Sequence, residues 1–176
     1  WYLSEIQEGL KSGDWEKADE VIGMIHTYQQ AKNKTVDIRP EKIQAEIKYN
    51  QMDVFRQCKK GYLILGGLLL IFAFVVLFKK KKWVTYTTWV LSLGILAVFV
   101  FHMYGMGMRW YIAGYAPWSN SYETMVYVAW ATVFAGLLFV RKSTPTFALA
   151  TLFGGIILFV SGLSWMDPQI NPLVPV

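Results

Sequence analysis

A chain of 176 residues that is 55% hydrophobic, 16% charged and carries a net charge of +5 does not have the composition of an ordinary soluble enzyme. The charge is unevenly placed: residues 1–60 hold ten Lys/Arg and ten Asp/Glu, whereas the remaining 116 hold seven basic groups and only Glu123 and Asp167 as acids. The basic excess flanks apolar runs, which makes it a signal of membrane topology and excludes a nucleic-acid partner. Cys58, the single cysteine, leaves no disulfide framework, Cys-x-x-Cys pair or thiolate metal cluster.

In chain order, Leu3, Ile6 and Leu10 fall on one helical face. After Ser12-Gly13-Asp14, with Asp14 as N-cap, Trp15, Ala18, Val21, Ile22, Ile25 and Tyr28 repeat that spacing. A polar stretch over residues 31–39 leads to Pro40, suited to the first turn of a third helix with Ile43, Ile47, Val54 and Cys58 along one side. These elements predict a helical domain over 1–60, outside the cytoplasm, whose narrow apolar faces lean on the membrane or on partner segments.

Residues 61–78 carry no charge, and at ~1.5 Å per residue they reach about 27 Å, close to the hydrocarbon thickness of a bilayer. They are the expected transmembrane helix 1, closed by four consecutive lysines from Lys79 to Lys82. Helix 2 is expected over 84–105, an external loop over 106–123, helix 3 over 124–140 ending at Arg141-Lys142, helix 4 over 147–166 and an external segment over 167–176. The expectation is therefore an all-α integral membrane protein with four transmembrane helices. Basic loops are retained inside, so 1–60 and 106–123 face the periplasm of a bacterium, across its cytoplasmic membrane. Within the loop, Asn120 and Glu123 match a capping box opening the third span. The chain begins at Trp1 and is expected to be an internal piece of a longer protein.

Chemistry-bearing residues are few. His102, at the outer end of the second span and followed by Met103, Met106 and Met108, offers the imidazole and thioether that ligate heme iron; packing and access to interfacial water are the plainer alternatives. Arg109 could hold a propionate or another anion with its planar fork, or snorkel to the interface. Glu123 has its cap as a sufficient role, and His26 on its amphipathic helix reads as a surface or packing residue. Gly66-Gly67 and Gly154-Gly155 permit close helix approach without GxxxG spacing, and Gly105-x-Gly107 lacks the strand and lysine of a nucleotide loop. No metal-binding constellation and no Ser/His/Asp set is visible.

The stretch from Arg109 to Trp130, RWYIAGYAPWSNSYETMVYVAW, contains a pattern Arg-Trp … Gly … Pro-x-Ser-Asn-x-Tyr-Glu that resembles the CcsA/ResC cytochrome c biogenesis proteins. The later Met166-Asp-Pro-Gln-Ile … Leu-Val-Pro is similar to an external segment of the same family, and the resemblance covers residues 84–176. Residues 1–78 resemble the external region and last span of the CcsB/ResB-like partner, as in fused forms. The family implies a heme exporter and synthase that presents heme to apocytochrome c outside, where thioether bonds form. On the matching positions it implies a site-shaping external loop of Arg109, Trp110, Pro117, Trp118, Ser119, Asn120, Tyr122 and Glu123, with His102, Arg109 and Trp110 as candidate heme contacts. His102 matches no ligand motif of the family. Its tryptophan-rich heme-binding signature has no counterpart in these residues, so the catalytic residues stay unassigned and the catalytic part is expected beyond Val176. A membrane-anchored periplasmic binding module and a transporter subunit are the rival readings; the latter lacks mid-membrane charges apart from His102.

Overall fold

The computed structural model describes residues 2–32, 40–78 and 81–163. Lys79-Lys80, the stretch 33–39 and the expected segment 167–176 with its Met166-Asp-Pro motif lie outside the described residues. All regular structure among the described residues is helical: α1 (Tyr2–Ser12), α2 (Glu16–Lys32), α3 (Pro40–Met52), α4 (Val54–Phe78), α5 (Lys82–Ala113), α6 (Ser121–Leu138) and α7 (Thr144–Ser161). They fall into two compact units, Trp1–Pro40 and Glu41–Val176. The expected grouping of 1–60 is thus divided, and α3 from Glu41 onward belongs with the apolar helices.

In the first unit α1 ends at Gly13, whose φ of 76° is cheap only for glycine and whose N–H closes on the Gly9 carbonyl at 2.8 Å. The Asp14 carboxylate then accepts the Glu16 N–H at 3.1 Å and opens α2. Ala18 and Val21 are buried, while Leu3, Leu10, Trp15, Ile22 and Tyr28 are exposed.

In the second unit α3 passes into α4 through Asp53, a non-glycine residue at φ 44°. An isolated left-handed residue bends the helix axis without ending it, and the Gln57 N–H is still accepted by the Asp53 carbonyl. Among the described residues three segments are long and apolar enough to cross a membrane: Glu41–Val76, Lys82–Ala113 and Thr144–Ser161. The fourth expected span, α6, is 18 residues long but stands outside that set, because its first turn is spent on Ser121, Tyr122, Glu123 and Thr124.

Helix α4 lies between α5 and α7, and α6 packs on α7. The α4–α7 approach depends on one glycine from each pair. A Cβ at Gly66 would stand 3.1 Å from the Leu152 nitrogen, and one at Gly155 would stand 3.1 Å from the Leu63 nitrogen, so each helix uses a glycine where the other's backbone passes. Gly67 meets only Leu152 Cδ2, at 4.0 Å. Tyr62, Leu69, Ile95, Ala129, Val133, Phe147 and Ala148 form the interior, whereas Ile64, Ile71, Phe74, Leu93, Phe153 and Ile156 stay exposed as an apolar outer surface. Such a surface suits lipid, since a soluble protein rarely leaves that much contiguous apolar area uncovered.

One boundary differs in a way that matters for the site. The loop expected from 106 begins only after Ala113, because nothing between Met106 and Ala113 breaks the helix; α5 ends where Gly114 adopts φ 79° and its N–H returns to the Trp110 carbonyl. His102, Gly105, Arg109 and Ile112 therefore share one buried face of a continuous helix.

Candidate functional site

That face of α5 meets α3, α4 and the start of α6 in a polar cluster. Arg109 Nη2 and Glu123 Oε1 are 2.9 Å apart, with side chains 1% and 0% exposed. Arg109 Nη1 donates to the Tyr49 hydroxyl at 3.3 Å, and the guanidinium lies 5.1 Å from the centroid of the Tyr122 ring and 5.9 Å from that of Tyr49. A charge removed from water needs such compensation, and the Glu123 carboxylate, the Tyr49 hydroxyl and two ring faces contribute to it here. The snorkelling expected as the plain role of Arg109 is replaced by a buried ion pair between residues 14 apart in sequence.

Glu123 is positioned by its own helix start. Asn120 caps α6, its side-chain oxygen accepting the Glu123 N–H at 2.7 Å. In a full capping box the glutamate returns to the cap residue's own N–H. Here Glu123 Oε2 accepts instead from the Ser119 N–H at 2.9 Å, one residue earlier, while Oε1 faces Arg109. One carboxylate thus ties the segment 114–120 to the interior of α5. Tyr115, in that segment, has its phenol pushed up by partial burial, with the Glu123 charge adding to the shift and Arg109 opposing it.

About two turns inward, His102 is fully buried. Its Nδ1 hydrogen-bonds the Tyr62 hydroxyl at 3.2 Å, the Phe55 ring packs edge-on at 5.4 Å, and among the described residues the Val126 backbone stands nearest as a partner for the imidazole's other nitrogen, without good hydrogen-bond geometry. Cys58 is also fully buried on α4, its thiol 3.8 Å from the Val98 carbonyl.

The structure therefore brings His102, Arg109, Tyr122 and Glu123 inside, with Ser119 and Asn120 as backbone and cap partners of Glu123. Trp110 and Trp118 stand 58% and 61% exposed, Trp118 edge-on to Tyr127. His102 and Arg109 are both buried, the imidazole against Phe55 and Tyr62 and the guanidinium against the Glu123 carboxylate. Among the described residues no three His, Cys, Asp or Glu side chains gather as a metal site. Sequence reasoning did not find Tyr49, Phe55 or Tyr62 as partners. The one available signal was the spacing of His102, Gly105, Arg109 and Ile112, which places all four on one helical face.

The chain is similar over 167 residues, 91% of its length, to protein NrfI of Wolinella succinogenes, at 35% identity. A 99-residue part of it is 25% identical to the cytochrome c biogenesis protein CcsA of Trieres chinensis. The matched regions make up 18% and 31% of those proteins, so the chain spans well under half of the curated relatives it matches. No family model matches. Together with the Arg109–Glu123 motif, these similarities point to the CcsA family of cytochrome c biogenesis proteins.

Proposed function

We propose that the chain is part of a multi-pass assembly protein of the bacterial cytoplasmic membrane that exports or presents heme and supports its covalent attachment to apocytochrome c on the outer side. The observation that carries this reading is the similarity over 91% of the chain, reinforced by the use the motif residues find in the fold. Arg109 and Glu123 form a clamp, and Ser119 and Asn120 connect it to the segment between α5 and α6. On this reading the clamp sets the height and orientation of an external loop, and the clamp residues act by positioning.

Four helices cross the bilayer, α6 being the fourth, with its polar first turn at the outer surface where the clamp lies. The lysines before α5 and Arg141-Lys142 then face the cytoplasm, and residues 1–40 and the 114–120 segment face the periplasm. Heme contact within the chain falls to the exposed Trp110, and thioether formation to residues elsewhere in the parent protein. A CcsB/ResB-like region, apocytochrome c and the lipid bilayer are the partners. Topology is tested by placing single cysteines at Lys142 and Trp118 and labelling intact cells with a membrane-impermeant maleimide; Cys58, being buried, stays silent. Labelling at 118 and not at 142 is expected, and the reverse overturns the orientation. The function is tested by deleting the parent gene: loss of covalent heme from the c-type cytochromes, with apocytochrome still detectable by immunoblot, is expected, and unchanged heme staining overturns it.

A further inference from the structure

At the end of the bundle opposite the clamp, the start of α5 and the connection from α6 to α7 border a cavity of about 370 Å3. Its walls come from the end of α4 (Val76), the first three turns of α5 (Thr85, Thr88, Trp89, Ser92), the α6–α7 turn (Val140, Arg141) and the first residue of α7 (Thr144). It exists because α5 packs along α4 but meets α6 far less, while α6 keeps to α7. Where α5 and α6 do touch, Phe99 stacks on Trp130 and Phe134, toward the middle of the helices.

The donors in this cavity divide into two sets. Thr88 and Ser92 return their hydroxyl protons to their own helix, at the Thr85 and Thr88 carbonyls. Thr85, Arg141 and Thr144 have no intramolecular side-chain partner among the described residues, and they line the same cavity from α5, the α6–α7 turn and the start of α7. An unspent guanidinium with two unspent hydroxyls, beside an indole that is 58% exposed, is a donor set for a multiply bonded anion whose remainder is apolar. Val76 and Val140 add apolar lining, and the outer surface of the flanking helices is suited to acyl chains. Phosphate fits this set better than carboxylate, because donors approaching from α5 and from the α6–α7 turn can bind different oxygens of one group.

We propose that this cavity seats the phosphate of an anionic phospholipid headgroup from the cytoplasmic leaflet, with Arg141 as its charged anchor and Thr85 and Thr144 as secondary donors. The assignment rests on the topology given above, which brings the cavity to headgroup level among basic residues, the setting in which clefts between membrane helices hold anionic lipids. The bound lipid fills the gap that the sparse α5–α6 packing leaves, wedging the two helices at the inner end as the ion pair joins them at the outer end.

The test is native mass spectrometry of the full-length protein released from nanodiscs, titrated with cardiolipin, phosphatidylglycerol or phosphatidylethanolamine, comparing wild type with Arg141→Gln and Lys142→Gln. Arg141 and Lys142 are both exposed, so neither change disturbs the core. Expected is retention of cardiolipin or phosphatidylglycerol over phosphatidylethanolamine, weakened about tenfold by Arg141→Gln, the scale of one charge-assisted hydrogen bond, and much less by Lys142→Gln. Equal loss in both variants would mean general surface attraction and would overturn the proposal. Displacement of the lipid by a porphyrin dicarboxylate that also depends on Arg141 would overturn the phosphate assignment, and displacement by inorganic phosphate alone would overturn the lipid one. A failure of the topology shows separately, in the maleimide labelling at position 142.

Discussion

Glu123→Gln removes the charge that compensates Arg109 while preserving shape, and so isolates the value of the buried pair. Both side chains are fully enclosed, so solvent screening does not reduce the effect. Breaking a buried pair by removing one partner costs about 3–5 kcal/mol, because the surviving charge is left uncompensated. Arg109 keeps the Tyr49 hydroxyl and two ring faces, each worth about 0.5–2 kcal/mol, and the Gln carbonyl can still accept one hydrogen bond. The loss therefore falls at the lower end, about 3 kcal/mol. Cys58 provides the assay, being the single thiol and fully buried on α4. In the regime where opening is faster than labelling, the rate of thiol modification follows the population of opened molecules. At 1.4 kcal/mol per factor of ten, Glu123→Gln should label roughly a hundredfold faster than wild type in the same detergent. The double variant Arg109→Met with Glu123→Leu removes both charges and should label within about tenfold of wild type, since an apolar replacement of a buried pair is often near neutral. If the single variant labels at the wild-type rate, or the double variant labels faster than the single one, the pair is not compensating a buried charge and the clamp is misread.

Two other substitutions probe packing and capping. Gly66→Ala drives a methyl toward the Leu152 backbone and should cost about 1–3 kcal/mol, whereas Gly67→Ala meets no tight contact and should stabilise by about 0.5–1 kcal/mol through helix propensity; opposite shifts in Cys58 labelling are expected, and equal shifts would refute the α4–α7 crossing. Asn120→Ala should cost about 1 kcal/mol by freeing the Glu123 N–H, and Asn120→Ser should recover most of it; a neutral Asn120→Ala, by the same thiol assay, would mean that Arg109 and the Ser119 N–H hold Glu123 without the cap.

Much of the fold was legible in the sequence because bilayer dimensions leave a strong imprint on uncharged runs: residues 61–78 and 84–105 lie within α4 and α5, and 147–161 within α7. Less of the site was legible. Arg109 resembles the interfacial end of a span when only its neighbours are considered, since its compensating charge stands 14 residues away across a helix terminus and a turn, and local pattern carries no information about that pairing. The length of α5 was underestimated as well: the loop was expected from 106, whereas the helix breaker is Gly114. The junction at Asp53 was also hidden: α3 is polar enough to suggest a separate domain, yet Tyr49 is buried within the membrane unit by its contacts with Phe55 and Arg109. The helix-opening role of Asn120, by contrast, was plain, because a side-chain cap is a local event.

The most direct measurement is one of sufficiency. A bacterial host stripped of its own cytochrome c assembly genes is given the intact parent gene together with a reporter apocytochrome bearing one Cys-x-x-Cys-His segment, and denatured periplasm is stained for covalent heme. The account predicts a stained reporter band with the wild-type gene, none with empty vector, and a band greatly reduced by Glu123→Gln in proportion to the protein left in the membrane. A reporter that remains unstained although both proteins accumulate, or that stains equally without the gene, would contradict it.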